Sequence, residues 1–264
     1  MANEYGNYCT LNPNQTVATL ANGNTSFSHG SSVNGGSTLK IASGDTNKYY
    51  WEAEVTTQSG SLHFGITDAD NVVTTFTSGN NCLIVYAGGT AWDFYKNGSE
   101  ITAGILPSVS DGDTVMWAFD PASRKVWVGE NNTWVGDPVN GTGEATTLTA
   151  SDAGWLIFFR VGNTSAGGFN FGATAFTHTQ PSGFVALATQ NLPTPAIINP
   201  ADHFCSVVID HDGSDTDGTC TFNLDTYEWL AIIKNTTGAD ENWYWINSIR
   251  GVNKYTSSNT SASE

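Results

Sequence analysis

Paired carboxylates are the residues of this chain whose spacing comes nearest to a catalytic arrangement. Glu52 and Glu54 alternate with apolar residues, so both side chains lie on one face of a predicted strand. Retaining glycoside hydrolases use two carboxyl groups about 5 Å apart, but no third acid follows in Val55-Thr56-Thr57. We interpret Glu52 and Glu54 as solvent-side or edge charges, and we expect that the protein is not an enzyme.

The densest acidic cluster is a candidate calcium site. It contains Asp210, Asp212, Asp215 and Asp217, and carboxylate oxygens are the ligands that Ca²⁺ prefers. The spacing departs from the calcium loop of EF-hands, because Asp215 stands where that loop needs a glycine. A solvated hairpin turn, with no cofactor at all, is the other interpretation.

Cysteine and histidine spacing gives two further expectations. Cys205 and Cys220 flank the acidic cluster, and they could join across a hairpin as a disulfide or remain packed thiols. The five histidines show neither His-x-His nor HExxH spacing, so we expect no zinc site.

A short aromatic run near the C-terminus is the candidate binding surface. Trp243 and Trp245 share one face of a predicted strand, Tyr244 points to the other face, and Tyr255 follows in the chain. The two tryptophans could form the core of a small unit. If they are exposed, they would serve as a glycan-binding platform or as an interface between subunits.

The overall charge excludes several classes of partner. Lys and Arg number 9 against 25 Asp and Glu, which gives a formal net charge of −16 and repels nucleic acids and anionic membranes. No apolar run reaches the roughly 20 residues of a membrane-spanning helix, and residues 1–8 lack the features of a signal peptide. Hydrophobic residues make up 39% and aromatic residues 12% of the chain, enough for an aromatic core.

The elements that would position these residues are short strands. Alternating segments separated by Gly, Asn, Asp and Ser clusters predict an all-β fold, an antiparallel two-sheet β-sandwich. Gln58-Ser59-Gly60 and Asn97-Gly98 are hairpin signals. The predicted strands are 49–55, 61–67, 81–86, 90–96, 113–120, 125–128, 154–161 and 167–171.

A proline-rich stretch divides the chain into two domains. We assign residues 1–190 to the sandwich, 191–202 to an extended linker and 203–264 to a smaller β-rich unit with a polar tail. The strands predicted in the smaller unit are 203–210, 219–223, 228–234 and 242–249. A unit of this size is marginal alone, so we expect it to lean on the first domain or on another subunit.

Four segments, in the same order along the chain, resemble the SPRY family. They are residues 48–55, 63–66, 112–134 and 169–172, within roughly residues 7–187. Gly129 and Asn132-Thr133 depart from the family's usual hairpin residues. The resemblance implies a jelly-roll, concanavalin A-like sandwich that displays binding loops, although no peptide-binding pocket of the animal members is matched here.

A closer resemblance is to SPRY-like proteins of tailed bacteriophages. It is carried by residues 7–13, 20–24, 191–197, 203–204, 231–235 and 248–251, and it implies a component of a virion or surface assembly. Our hypothesis is therefore a non-enzymatic structural protein, a virion or filament (fibre) subunit that self-associates through sheet edges and polar faces. Its partners would be further copies or other structural subunits, and its location a virion or an extracellular assembly.

Two alternatives remain open from the sequence. The first is a carbohydrate-binding module for attachment to a host or surface, with glycans as partners. The second is a glycoside hydrolase, for which the chain offers no convincing pair of acids.

Overall fold

A computed structural model describes residues 7–71, 81–86, 91–107, 109–194, 229–234, 243–251 and 254–257. These residues form β-strands and turns, with short 3₁₀ turns at Pro13–Gln15, Ala69–Asn71 and Thr189–Asn191. Within the described ranges no helix is long and apolar enough to cross a membrane. The chain divides into two compact units, Met1–Pro193 and Thr194–Glu264. The all-β prediction is confirmed.

The first unit contains fifteen described strands. In chain order they are β1 (Thr19–Ala21), β2 (Ser26–Ser28), β3 (Val33–Ile41), β4 (Lys48–Thr57), β5 (Leu62–Asp68), β6 (Asn81–Tyr86), β7 (Trp92–Lys96), β8 (Ser99–Leu106), β9 (Thr114–Asp120), β10 (Lys125–Glu130), β11 (Thr133–Val135), β12 (Thr146–Thr147), β13 (Trp155–Val161), β14 (Ala166–Asn170) and β15 (Phe184–Ala186).

These strands build two sheets. The first has the order β1-β2-β14-β4-β9-β10-β11, with β12 beside β10 and β15 beside β4, and the second has the order β3-β13-β5-β6-β7-β8. Pairing is antiparallel, except that β15 runs parallel to the start of β4. Strand β4 therefore lies in the middle of its sheet, with β14 and β15 along one edge and β9 along the other.

Aromatic side chains from both sheets meet in one core. Phe27 of the first sheet stacks on Phe159 of the second, with ring centroids 4.0 Å apart. Trp51 and Trp117 lie directly opposite each other on β4 and β9 and stack at 5.9 Å. Phe94 reaches Trp117 from the second sheet at 6.4 Å. Because the Phe27–Phe159 and Phe94–Trp117 contacts cross between the sheets, the two-layer sandwich is confirmed.

Two tight hairpins have the backbone that their sequences favour. Asn97 and Gly98 have φ values of 51° and 77° between β7 and β8, and Asn131 and Asn132 have values of 45° and 69° between β10 and β11. A two-residue type I′ turn needs positive φ at both positions, which Asn and Gly tolerate best. The hairpin predicted at Asn97-Gly98 is confirmed.

The hairpin predicted at Gln58-Ser59-Gly60 is wrong, because β4 and β5 belong to different sheets. The backbone N–H of Gln58 donates to the carboxylate of Asp111 at 2.7 Å. The N–H groups of Ser59 and Gly60 donate to Ser165 Oγ at 3.1 and 3.0 Å. These hydrogen bonds to distant loops hold the chain where it passes from one sheet to the other. A hairpin would instead have reversed the chain within one sheet.

The described part of the second unit is a three-stranded antiparallel sheet. Its strands are β16 (Leu230–Lys234), β17 (Trp243–Asn247) and β18 (Thr256–Ser257), with β17 in the centre. Two of them fall within the predicted strands 228–234 and 242–249. The strands predicted at 203–210 and 219–223 lie outside the described residues.

Candidate interaction sites

One face of the C-terminal sheet carries large exposed apolar side chains. Ile232 lies directly opposite Trp245, and Lys234 lies opposite Trp243, so these side chains project from the same face. Leu230 shares that face because it precedes Ile232 by two positions. Leu230 is 55%, Ile232 50%, Trp243 46% and Trp245 37% exposed. We call these four residues the C-terminal apolar face.

The four aromatic residues singled out in the sequence fall into two groups. Trp243 and Trp245 lie on the apolar face, where Lys234 Nζ lies 5.8 Å from the Trp243 ring centroid. Tyr244 lies on the opposite face, and its ring meets Tyr255 edge-on at 5.0 Å. The two tryptophans are therefore not buried, and a binding or interface role for them stays a prediction.

Glu52 departs from its interpretation as a solvent-side charge. It is only 2% exposed, whereas Glu54 is exposed as expected. The Glu52 carboxylate accepts hydrogen bonds from the Tyr50 hydroxyl at 2.9 Å and from the backbone N–H groups of Thr177 and His178 at 2.8 and 2.7 Å. The segment 176–178 therefore covers Glu52, and the carboxylate is engaged in holding that segment.

Tyr50 belongs to a second apolar cluster, on the outer face of the first sheet. Tyr50, Met116, Trp127 and Phe184 are buried together there, and Trp134 packs against them. Burial and the neighbouring Glu52 charge raise the pKa of the Tyr50 hydroxyl, so it stays protonated and can donate its hydrogen bond. Phe184 and the half-buried Phe176, whose ring meets Tyr50 at 4.7 Å, attach the segment before β15 to this outer cluster.

An open groove lies beside the β10–β11 hairpin. It encloses about 460 Å³, within the range of small-molecule sites. Trp134 lines it from β11, Pro138 from the following loop and Pro181 from the segment before β15. Trp134 is half-buried and rests against Tyr50, with ring centroids 6.1 Å apart. We call this the Trp134 groove, defined by Asn132, Trp134, Asp137, Pro138, Thr179 and Pro181.

The loop after β11 forms one rigid wall of the groove. Gly136 approaches Gly143 so closely that a Cβ on Gly136 would lie 2.0 Å from the Gly143 carbonyl oxygen. Asp137 and Thr142 exchange backbone hydrogen bonds of 2.8 and 3.0 Å. The side-chain amide and the backbone N–H of Asn140 donate to the Asp137 carboxylate and lower its pKa. Asp137 is therefore a fixed negative charge.

Sequence reasoning did not find the Trp134 groove. Trp134 was visible as part of the hairpin that resembles the SPRY family, and the Asn131-Asn132 turn marks where it folds back. Pro138 and Pro181 carry no such signal, because they are far apart in the sequence and line the same groove only in the folded chain.

Two further kinds of reactive group concern the described residues, a cysteine thiol and clusters of metal-ligating side chains. Burial raises the pKa of the Cys9 thiol to about 11, so this buried cysteine is not a nucleophile. The described ranges contain no group of three or more His, Cys, Asp or Glu that could hold a metal ion. The predicted calcium ligands Asp210, Asp212, Asp215 and Asp217, and the predicted Cys205–Cys220 pair, lie outside the described residues.

Comparison with known proteins gives likeness in fold alone. No family model and no curated protein matches the chain. It is similar to the SPRY domain of human HERC1, with 16% identity, a TM-score of 0.43, and coverage of 62% of this chain and 99% of that domain. A second human SPRY domain shows 13% identity, a TM-score of 0.43 and coverage of 60% and 97%.

The toxin stonustoxin is similar over a comparable part of this chain. The identity is 12%, the TM-score 0.46, and the coverage 61% of this chain but only 28% of the toxin chain.

Proposed function

We propose that this protein is a non-enzymatic assembly protein, a subunit that self-associates into a virion, filament or fibre. The observation that carries the proposal is the C-terminal apolar face, with Leu230, Ile232, Trp243 and Trp245 between 37% and 55% exposed. A contiguous set of large apolar side chains on a sheet surface is typical of a protein interface. Burying it between copies would remove that surface from water.

The composition of this face favours a protein partner over a sugar. Leu230 and Ile232 are branched aliphatic residues, which pack into other side chains and offer no hydrogen bonds to hydroxyl groups. Lys234 projects on the same side of the sheet, and it is the only charged residue among the described strand residues of that side. Two copies of a chain with a net charge of −16 repel each other, so a face whose described residues include no carboxylate is the surface where they could approach.

Sheet faces support this role better than the outer strands of the sandwich do. Strands β1 and β11, which end the first sheet, have only three residues each. Of the two strands that end the second sheet, β8 pairs with two register irregularities, and β3 is hydrogen-bonded along its outer side by residues 10–12. Short and bulged outer strands resist pairing with another sheet. We therefore assign self-association to the C-terminal apolar face, not to these strands.

Sedimentation velocity over a range of concentrations tests the proposal. We expect the wild-type protein to form larger species as concentration rises, and the double variant Trp243→Ser/Trp245→Ser to stay monomeric. Ile249→Ser is the matched control, because Ile249 is 76% exposed in the same unit but lies outside the strands. A wild-type protein that is monomeric at every concentration would overturn the proposal.

The virion setting is supported by the resemblance of the sequence to proteins of tailed bacteriophages. Immunogold labelling of purified particles with an antibody against this chain tests it directly. We expect regular decoration of intact particles, and label confined to soluble fractions would contradict the setting.

The second candidate function is carbohydrate binding for attachment. It is favoured by the Trp134 groove, which places the half-buried Trp134 indole beside hydroxyl and amide groups.

A further inference from the structure

We propose that the Trp134 groove binds one pyranose residue of an uncharged oligosaccharide. This inference rests on the second candidate function, carbohydrate binding, and gives it a location on the sandwich. It is independent of self-association through the C-terminal apolar face, because the two surfaces share no residue.

The floor of the groove suits the apolar face of a sugar ring. Trp134 is half-buried and the adjoining Pro138 and Pro181 are buried, so the accessible apolar surface of these three residues is mainly the Trp134 indole. A pyranose has a face of C–H groups that packs on such a surface. A groove with an open mouth admits this flat ligand from the outside, without a tunnel or a moving lid.

The rim supplies hydrogen-bonding groups without excess charge. Asn132, Thr179 and Ser182 are exposed at its edges, and Gln180 is half-exposed. Amide and hydroxyl groups both donate and accept, as sugar hydroxyls do. Each carboxylate oxygen has further lone pairs beyond those used by Asn140, so Asp137 can accept a hydrogen bond from a hydroxyl group.

The same carboxylate discriminates between ligands. Asp137 is ionised at neutral pH because hydrogen bonds from Asn140 lower its pKa, and the whole chain is strongly acidic. Sialylated, sulfated or phosphorylated sugars would therefore be repelled. An acidic peptide would be repelled in the same way.

Both walls of the groove are fixed before any ligand arrives. One wall is the loop closed by Gly136 and Gly143. The other wall is formed by residues 179–182, which follow the residues hydrogen-bonded to Glu52. There the backbone N–H of Phe184 donates to the Pro181 carbonyl at 3.1 Å. A preformed site loses little conformational entropy on binding.

A glycan array and titration calorimetry test the proposal. The array carries glucose-, galactose-, mannose- and N-acetylglucosamine-terminated neutral oligosaccharides, with sialylated and sulfated forms beside them. We expect the wild-type protein to bind at least one neutral oligosaccharide and to ignore the acidic forms. Titration with that oligosaccharide should then show at least about tenfold weaker binding for Trp134→Ala, and partial retention for Trp134→Phe.

Variants on the rim and on the other unit complete the design. Asn132→Gly, which keeps the positive φ of the turn, and Thr179→Val change exposed residues and should each weaken binding several-fold, so they test the groove even where Trp134→Ala fails to fold. Trp243→Ser/Trp245→Ser should leave sugar binding unchanged, and Trp134→Ala should leave self-association unchanged.

Two outcomes overturn the proposal and remain distinguishable. If the wild-type protein binds no neutral oligosaccharide, both the groove and the carbohydrate-binding candidate fail. If it binds one and only Trp243→Ser/Trp245→Ser abolishes the binding, the carbohydrate function stands but its site is the C-terminal apolar face.

Discussion

Two pairs of tryptophans in this chain lie in similar strands and have opposite surroundings. Trp51 and Trp117 face each other on β4 and β9 and are 0% exposed. Trp243 and Trp245 lie at alternate positions of β17 and are 46% and 37% exposed. Each pair projects from one face of a sheet, and in each region the neighbouring strand supplies further apolar or aromatic residues.

The difference lies in what covers the sheet. In the sandwich, Phe94 of the second sheet reaches Trp117 at 6.4 Å, so a second layer completes the core. On β17, Ile232 lies beside Trp245 in the same layer, and the face remains exposed. Alternation thus identifies which side chains share a face, but a face becomes a core only where another layer packs on it.

The largest expected difference between the two regions is in stability. Trp117→Ala leaves a cavity in a closed core and should lower the free energy of unfolding of the sandwich by about 3–5 kcal/mol. Trp245→Ala removes an exposed side chain and should change the stability of its unit by less than about 1 kcal/mol. Urea unfolding combined with peptide-resolved hydrogen exchange measures each unit separately. Equal losses would show that Trp245 acts as a core residue.

The sandwich should also respond to acid through His63, a buried group with no counterpart among the described residues of the C-terminal sheet. Burial and then the charge of Arg160, its neighbour across the strands, lower the pKa of His63 to about 3. The ordinary value is about 6.5, so between these values the unfolded chain binds the extra proton. Stability contributed by neutral His63 is present above pH 6.5 and is lost as pH falls toward 3.

The loss due to His63 should reach on the order of 3 kcal/mol at pH 4. The measurement is the unfolding free energy of wild type and His63→Gln between pH 7 and pH 4. Subtracting the two curves removes the contribution of carboxylates common to both proteins. If the curves run parallel, His63 does not titrate in this way.

Glu52 and Glu54 offer a matched comparison within a single strand. Glu52→Gln places an amide N–H₂ among three hydrogen-bond donors, so it should cost about 2 kcal/mol and loosen the segment at Thr177 and His178. Glu54→Gln changes an exposed residue on the same face and should cost less than about 0.5 kcal/mol. Amide hydrogen exchange at Thr177 and His178 reports the local change. Unchanged protection there would mean that the outer cluster alone holds the segment.

What the sequence could predict was local. The alternation of Tyr49, Trp51 and Val55 identified the buried face of β4, and Asn97-Gly98 identified a hairpin, because side-chain alternation and positive φ are properties of a few adjacent residues. Strand β3 was missed, since Asn34, Gly35 and Gly36 lack an alternating pattern. Its strand conformation comes from pairing with β13, where Phe159 packs so close to Gly35 that a Cβ there would lie 2.2 Å from the ring.

What the sequence could not predict depends on contacts between distant segments. Glu52 is buried by residues 176–178, more than a hundred positions later, and the connection at Gln58 is held by Asp111. The Trp134 groove needs Pro181 beside β11. None of these pairings leaves a mark on the local pattern, so acid spacing alone suggested an exposed pair at Glu52 and Glu54, and the groove had no signal.

The smallest expected effect concerns how salt acts on self-association. Copies of a chain with a net charge of −16 repel one another at long range, and salt screens that repulsion. Contacts through Leu230, Ile232 and the two tryptophans are apolar and are not weakened by screening. The weight-average mass in sedimentation equilibrium should therefore rise modestly between about 0.05 and about 0.5 M NaCl. A mass that falls with salt would mean that ion pairs, not the C-terminal apolar face, hold the copies together.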